Sequence, residues 1–358
     1  MSATRSAESE AELRERLVAA PEDLATVVAL AELLAAQSRD REAVSLFRRA
    51  LALSHDDARA QAGLGLVLHS YDEHRDESIH LLQRAISSDC QSADVYRALA
   101  WSLNESGRRS EATTVVRAWC AAHPDDPAAQ HLLAAYAGGK PPARAADDFV
   151  RQTFDDGAAN FDSLLRESLH YRAPEALLEL LLAAMPRAAT GTLDVLDMGC
   201  GTGLCAPLLR PLSRRLVGVD LSAGMLERAA ARTGYDELHC AELTAWLAAA
   251  TARFDLLFAA DTLLYFGDLS PILGLASAVM REGGWIAFTV EKLPQSGANN
   301  FELATSGRFR HSDVHLRRAL SGAGFADIRL VETRLRFEAG VAVMGYAAVA
   351  QSNARRDH

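Results

Sequence analysis

Leu193-Asp194-Val195-Leu196-Asp197-Met198-Gly199-Cys200-Gly201-Thr202-Gly203 is the stretch on which the fold of this 358-residue chain turns. Its apolar opening reads as a buried strand, and its three alternate glycines let the backbone turn sharply and approach a ligand without Cβ clashes. A Gly-x-Gly-x-Gly loop at the C-terminal end of a strand is where a parallel sheet places its ligand. Alone, the loop is equally a tight structural turn. A second element, Leu216-Val217-Gly218-Val219-Asp220, is a strand that ends in an acid 21 residues after Gly199. A carboxylate there can accept both ribose hydroxyls of an adenosine, in nicotinamide enzymes as in others. Asp197 separates the cases: an acid inside the loop suits a cationic, methionine-like group and repels a pyrophosphate.

Around this core, short apolar runs alternate with helical patterns, the grammar of a doubly wound α/β sheet. Seven strands are expected, at 194–198, 215–219, 237–241, 254–259, 285–290, 327–333 and 341–350. The connection from Arg334 to Gly340 is too short for a crossover helix, so the last two strands should form an antiparallel edge hairpin. The apolar stretch at 177–189 reads as a buried helix.

The region before Gly139 shows helical periodicity and an internal repeat. Ala43-Val44-Ser45-Leu46-Phe47-Arg48-Arg49-Ala50 recurs 35 residues on as Ser78-Ile79-His80-Leu81-Leu82-Gln83-Arg84-Ala85, and more loosely after another 34 as Ala112-Thr113-Thr114-Val115-Val116-Arg117-Ala118-Trp119. The pairs Leu30-Ala31, Leu64-Gly65, Leu99-Ala100 and Leu133-Ala134 also align, with the small residue where antiparallel helices approach closely. This pattern resembles the tetratricopeptide repeat, with three repeats from Leu24 to Asp125 and a capping helix from Ala128 to Ala137. Stacking such units makes a continuous core. The family's signature tryptophan is missing and Pro124 alone approximates its proline, so an irregular α-hairpin array is the alternative. Gly138-Gly139-Lys140-Pro141-Pro142 then breaks the pattern. The expected domains are 1–139 helical repeats, 140–147 linker, 148–351 α/β domain and 352–358 polar tail.

Over Asp148 to Ala350 the chain resembles the class I S-adenosylmethionine-dependent methyltransferases, whose sheet is five parallel strands closed by a hairpin. The resemblance implies a seven-stranded Rossmann-like sheet and S-adenosyl-L-methionine as cofactor. It places Gly199, Gly201 and Gly203 along the methionine and ribose, with Asp197 nearby, and Asp220 on the ribose hydroxyls. Leu221 and Met225 would pack on the adenine, Glu242 and the Leu243 N–H would meet its polar edge, and Ala260 and Asp261 would lie beside the sulfonium. Alternatives are a solvated loop acid for Glu242 and core packing for Met225.

Ala259-Ala260-Asp261-Thr262-Leu263-Leu264-Tyr265-Phe266 lacks the Asn/Asp-Pro-Pro-Tyr tetrapeptide by which amino-methylating enzymes hold a flat amide or amine. Asp261, Tyr265 and His311 are the candidate catalytic groups, and Tyr171, Arg308 and His311 the candidate acceptor contacts. Their alternatives are a helix cap for Asp261, an ordinary buried ring for Tyr265, and internal loop hydrogen bonds for Arg308 and His311. Two segments should shape the acceptor side: residues 154–174, as a lid, and the polar insertion from Gly297 to Ser312, whose Ser312 should cap the following helix. With the repeats, these stretches resemble a bacterial group of predicted methyltransferases with N-terminal tetratricopeptide repeats, whose acceptors the resemblance does not name.

The expected function is methyl transfer to a small-molecule or protein acceptor, with the repeats for docking or self-association. The alternative is a repeat-based interaction module carrying a vestigial methyltransferase fold. A formal charge of -10 argues against non-specific nucleic-acid binding. No apolar run reaches the ~18 residues needed to cross a bilayer. Five scattered cysteines without metal-ligand spacing, and a polar N-terminus without a signal-type apolar core, suit the cytoplasm and imply no metal.

Overall fold

The computed structural model describes residues 9–157, 161–163, 170–185, 190–294, 300–338 and 341–353. It divides into two compact units, Met1–Ala137 and Gly138–His358.

The first unit is helical. After α1 (Glu10–Ala19) come three antiparallel pairs: α2 (Leu24–Ala36) with α3 (Asp40–Leu53), α4 (Ala58–Leu68) with α5 (Arg75–Ser87), and α6 (Ala93–Glu105) with α7 (Arg109–Ala122). Helix α8 (Pro127–Ala137) follows. The sequence repeat is a repeat of burial. Phe47, Leu82 and Val116 hold equivalent places in α3, α5 and α7, and all are fully buried; Ala50, Ala85 and Trp119 follow one turn later and are buried as well. Gly65 shows why the aligned small residues are needed. A Cβ there would stand 2.7 Å from Leu82 Cδ2, and the close approach lets Ser78 Oγ donate to the Gly65 carbonyl at 2.8 Å. Ser9 and Glu12 start α1 with a reciprocal capping box.

The second unit is a mixed sheet. Strands β1 (Leu193–Met198), β2 (Ser213–Asp220), β3 (Glu237–Cys240), β4 (Phe254–Ala259) and β5 (Met280–Lys292) are parallel in the order β3-β2-β1-β4-β5. Strand β9 (Val341–Ser352) pairs antiparallel with β5, and β8 (Phe325–Glu338) pairs antiparallel with β9 to close the edge. Alternate residues of the central strands feed two cores. Leu196, Met198, Leu257, Ile286 and Phe288 pack with one set of helices; Val195, Leu256, Phe258, Trp285 and Ala287 pack with Leu177 and Leu181 of α11 (Ala173–Ala184). The expected helix at 177–189 is thus α11 to Ala184, with 186–189 outside the described residues.

The seven expected strands are present, and two more correct the count. Phe301–Leu303 (β6) and Phe309–His311 (β7) form a short antiparallel hairpin inside the segment expected to be a polar insertion. Three-residue strands are too short for alternation to show in the sequence. Their placement matters. Glu291 of β5 pairs with Gly345 of β9 on one side and Arg310 of β7 on the other. Strand β5 therefore runs on past the end of β4, whose last partner on it is Phe288, and carries β7 above the C-terminal end of β4. Gly297, Ala298 and Asn299, named with this insertion, lie outside the described residues, as do residues 158–160 and 164–169 of the expected lid.

Candidate active site

Strand order reverses at β1, which lies between β2 and β4, and the glycine loop leaves the C-terminal end of β1. That is the crevice where open α/β sheets bind ligands. Gly199, Gly201 and Gly203 all take positive φ, at 73°, 54° and 83°. At Gly199 space forbids a side chain as well: a Cβ would stand 2.3 Å from Thr262 Oγ1. The loop is tied to β2 through its own backbone, since the Gly199 and Cys200 N–H groups both donate to the Val219 carbonyl, at 2.8 and 3.1 Å. Asp220 completes the tie. Its Oδ2 accepts the Gly201 N–H at 2.8 Å and its Oδ1 the Ser222 N–H at 2.9 Å. Burial raises its pKa despite these bonds.

A cavity of about 380 Å³ opens over the loop, within the usual size range of small-molecule sites. Gly199, Gly201, Asp220, Leu221, Glu242 and Leu243 form its β1–β3 side, and Ala260, Asp261, Tyr265, Tyr171 and Arg308 its far end. Most of the residues singled out in the sequence are thus brought together. Glu242 also caps α14 (Leu243–Ala249), accepting the Thr244 and Ala245 N–H groups at 2.9 and 2.8 Å. Four of the singled-out residues lie off the wall. Asp197 sits beneath it, 1% exposed; its Oδ2 accepts the Tyr235 hydroxyl at 2.6 Å, and its Oδ1 has no partner. Burial pushes this carboxyl up to about 7, against the Tyr235 hydrogen bond and helped by the charge of Asp220. Gly203 turns toward Tyr235 and Ala229.

The other two are corrections. Met225 is buried in α13 (Ala223–Ala231) and does not face the cavity. His311 is fully buried and spends its Nε2 on the main-chain carbonyls of Phe266 and Gly267, at 2.9 and 3.2 Å. Burial and the adjacent His315 ring hold its pKa down to about 4. As the last residue of β7 it ties that strand to the turn at Phe266 and Gly267, so it serves the wall rather than the acceptor. Ser312 does cap α16 (Asp313–Gly322), as expected.

The far end holds a network that sequence reasoning missed. Asp261, in a left-handed conformation (φ 54°), has both carboxylate oxygens engaged: Oδ1 accepts the Thr289 hydroxyl at 2.6 Å and Oδ2 accepts Arg336 Nη1 at 2.9 Å. Arg336 also bonds Glu291, and its Nε donates to Glu338 at 2.7 Å. Arg308 Nε donates to Glu291 at 2.7 Å and its Nη2 to Glu338. Burial would raise the Glu291 carboxyl, but the charges of Arg308 and Arg336 outweigh it and hold it below its ordinary value. Arg336 enters because β8 carries an irregularity between Arg334 and Arg336, which leaves Leu335 and Arg336 consecutively buried. The one available signal was the lone acid of Phe288-Thr289-Val290-Glu291, a charge at the end of an apolar strand.

The roof comes from the start of the unit. Ala145 N–H donates to the Tyr265 carbonyl at 2.8 Å, and the Ala143 carbonyl accepts the Gly267 N–H at 2.8 Å. Residues 143–145 of the expected linker are therefore part of the cavity's frame. Phe154 packs edge-on against Phe161 and Tyr265, and Asp162 accepts the Thr202 hydroxyl at 2.5 Å.

Residues 196–288 match the model of the methyltransferase domain, and residues 72–136 match a tetratricopeptide repeat model. The chain joins tetratricopeptide repeats to a class I methyltransferase domain. A malonyl-[acyl-carrier protein] O-methyltransferase of Acetivibrio thermocellus is 27% identical over 142 residues, 39% of this chain and 48% of that one. A trans-aconitate 2-methyltransferase of Paracidovorax citrulli is 34% identical over 109 residues, 30% of this chain and 41% of that one. A magnesium protoporphyrin IX methyltransferase of Synechocystis PCC 6803, solved with bound SAH, aligns at TM-score 0.44 and 16% identity, covering 58% of this chain and all of that one. The chain spans about half the length of the first curated relatives it matches, 48% and 52%. Among the described residues, no helix is long and apolar enough to cross a membrane.

Proposed function

We propose that the chain is an S-adenosylmethionine-dependent methyltransferase acting on a small-molecule or protein acceptor in the cytoplasm, with the repeats for docking or self-association. The observation that carries this reading is the cavity at the strand-order reversal, floored by positive-φ glycines and walled by Asp220. The residues fit the cofactor: the bare Gly201 backbone leaves room for close approach, and the orphaned Oδ1 of Asp197 is a buried acceptor suited to a cationic group nearby. Gly199 and Gly201 line the methionine and ribose in this reading, with Gly203 completing the turn behind them; Asp220 takes the ribose hydroxyls, Leu221 the adenine face, and Glu242 with Leu243 the adenine edge. The bound cofactor supplies an electrophilic methyl group.

The chain's own part is proximity, orientation and exclusion of water. Ala260 and Asp261 frame the point of transfer, and the aromatic wall of Phe154, Tyr171 and Tyr265 keeps it dry. Burial raises the pKa of the Tyr171 and Tyr265 phenols, which makes them hydrogen-bond donors rather than bases. The domain limits proposed are those expected from the sequence, with residues 143–147 assigned to the methyltransferase domain instead of the linker. Calorimetric titration of the full chain with S-adenosylhomocysteine tests the reading. Saturable binding is expected, and no heat at tens of micromolar ligand would sink it.

A further inference from the structure

Building on the methyltransferase reading, we infer that the acceptor carries a carboxylate, and that Arg308 and Arg336 bind it in the place held by the chain's own Glu338. Both arginines line the cavity and both donate to one oxygen, Oε1, of Glu338. Two guanidinium groups converging on one point match a carboxylate in charge and in donor geometry.

The arginines do not depend on Glu338 for their position. Arg308 is held from behind by Glu291 at 2.7 Å, and Arg336 by Glu291 and by Asp261 at 2.9 Å. Glu291 and Arg336 are 2% and 4% exposed at the side chain, whereas Glu338 is 36% exposed. Glu338 is thus the one partner of the set standing at the rim. Charge agrees. Asp261 and Glu291 balance the two arginines, and Arg310, 3.6 Å from Glu291, has Glu302 as its own partner at the same distance. A ligand carboxylate replacing Glu338 leaves the charge of the cluster unchanged.

The chemistry of the wall points the same way. Among the described residues at the far end, Asp261 has both oxygens occupied, Tyr171 and Tyr265 are neutral phenols, and Glu338 is engaged by the arginines until a ligand replaces it, so no free base is set against the acceptor's point of transfer. A hydroxyl needs such a base and a carboxylate does not. Tyr171 and Tyr265 interact with the arginines and, with Phe154, Phe161 and Phe266 on the same cavity, ask for an apolar or aromatic body behind the acid.

The test titrates the full chain, saturated with S-adenosylhomocysteine, with 3-phenylpropionate and with the uncharged 3-phenylpropionamide. The acid is expected to bind about tenfold tighter than the amide, the scale of a charge-assisted pair. Glu338→Gln, which frees the arginines of their internal competitor, should strengthen acid binding about threefold or more and leave the amide unchanged. Arg308→Gln should erase the preference. Equal binding of acid and amide, no acid binding at millimolar concentration, or no gain in Glu338→Gln overturns the inference. Because saturation with S-adenosylhomocysteine is measured first, failure of the cofactor reading shows as its absence, distinct from cofactor binding without acid preference.

Discussion

Arg336 and Asp261 come from the edge strand β8 and the turn after β4, yet their Nη1 and Oδ2 lie 2.9 Å apart inside the protein, with the arginine 4% exposed at its side chain. The pair fixes the one acid at the point of proposed transfer to the far side of the sheet. Removing the arginine leaves Asp261 as a buried charge without its cationic partner and Glu291 with Arg308 in place of two close arginines. Arg336→Met should therefore cost about 3–5 kcal/mol in urea unfolding at neutral pH. The deficit should narrow in acid, where the two carboxyls take up protons. A loss below about 1 kcal/mol would place the pair in the class of surface bridges.

Asp220→Ala removes a carboxylate that organises the glycine loop and faces the cavity. Binding of S-adenosylhomocysteine should weaken by about 1.5–3 kcal/mol, the scale for charge-assisted hydrogen bonds. Wild-type affinity in that variant would show that the ligand lies elsewhere.

Gly199→Ala meets two obstacles, positive φ and the Thr262 side chain 2.3 Å from the added Cβ. Adding Thr262→Ala should relieve most of the second, since only the Thr262 Cβ at 2.9 Å remains close, and leave the first, worth about 1–2 kcal/mol. Thermal unfolding of the single and double variants separates them, with the double expected between the single and the wild type. Full recovery would mean that the left-handed backbone carries no cost.

Asp197 gives a pH signature. Its carboxyl rises from 3.8 unfolded to about 7 folded, so between these values the folded state holds a proton that the unfolded state has lost. By linkage this group's contribution to stability falls as pH rises through that window and levels off above about 7. Urea unfolding of Asp197→Asn, which keeps an acceptor for Tyr235, should lack this fall. Affinity for the cationic amino group of S-adenosylhomocysteine should rise through the same window in the wild type, as the carboxyl ionises, and stay flat in the variant. Parallel pH profiles for the two proteins would remove Asp197 from both roles.

Truncation addresses the roof. A chain starting at Gly138 keeps the Ala143 and Ala145 main-chain bonds to residues 265–268, and should bind S-adenosylhomocysteine as the full chain does. Starting at Asp147 deletes those bonds and should weaken binding. Equal affinity for both truncations would show that residues 138–146 contribute nothing to the pocket.

The cofactor half of the site was legible because its requirements are local. A glycine loop must follow its strand directly, and the acid of β2 must stand at a set distance from it, so Gly199, Gly201 and Asp220 announce themselves by spacing. The helical repeat was legible for a related reason, since Phe47, Leu82 and Val116 meet the same packing demand three times. The far end obeys no local rule. Glu291, Arg308 and Arg336 come from β5, the β6–β7 hairpin and β8, and only pairing register joins them. The irregularity at Leu335 then breaks the alternation that would have shown Arg336 pointing inward. His311 misled because an imidazole in a polar loop looks available; the backbone carbonyls that claim its Nε2 lie 45 and 44 residues away.

By strand pairing the hairpin of β6 and β7 hangs from the overrun of β5, beyond the last rung shared with β4, while His311 ties it to the turn at Phe266 and Gly267. The parallel sheet is complete without it, and none of the glycine-loop bonds passes through it. In the proposed reading the hairpin is a fitting that lends Arg308 to the acceptor side, mounted beside a separate cofactor platform. A graft between Leu293 and Ser312 that keeps a donor for the Phe266 and Gly267 carbonyls would, on that reading, change the choice of acceptor while leaving the glycine loop as it is.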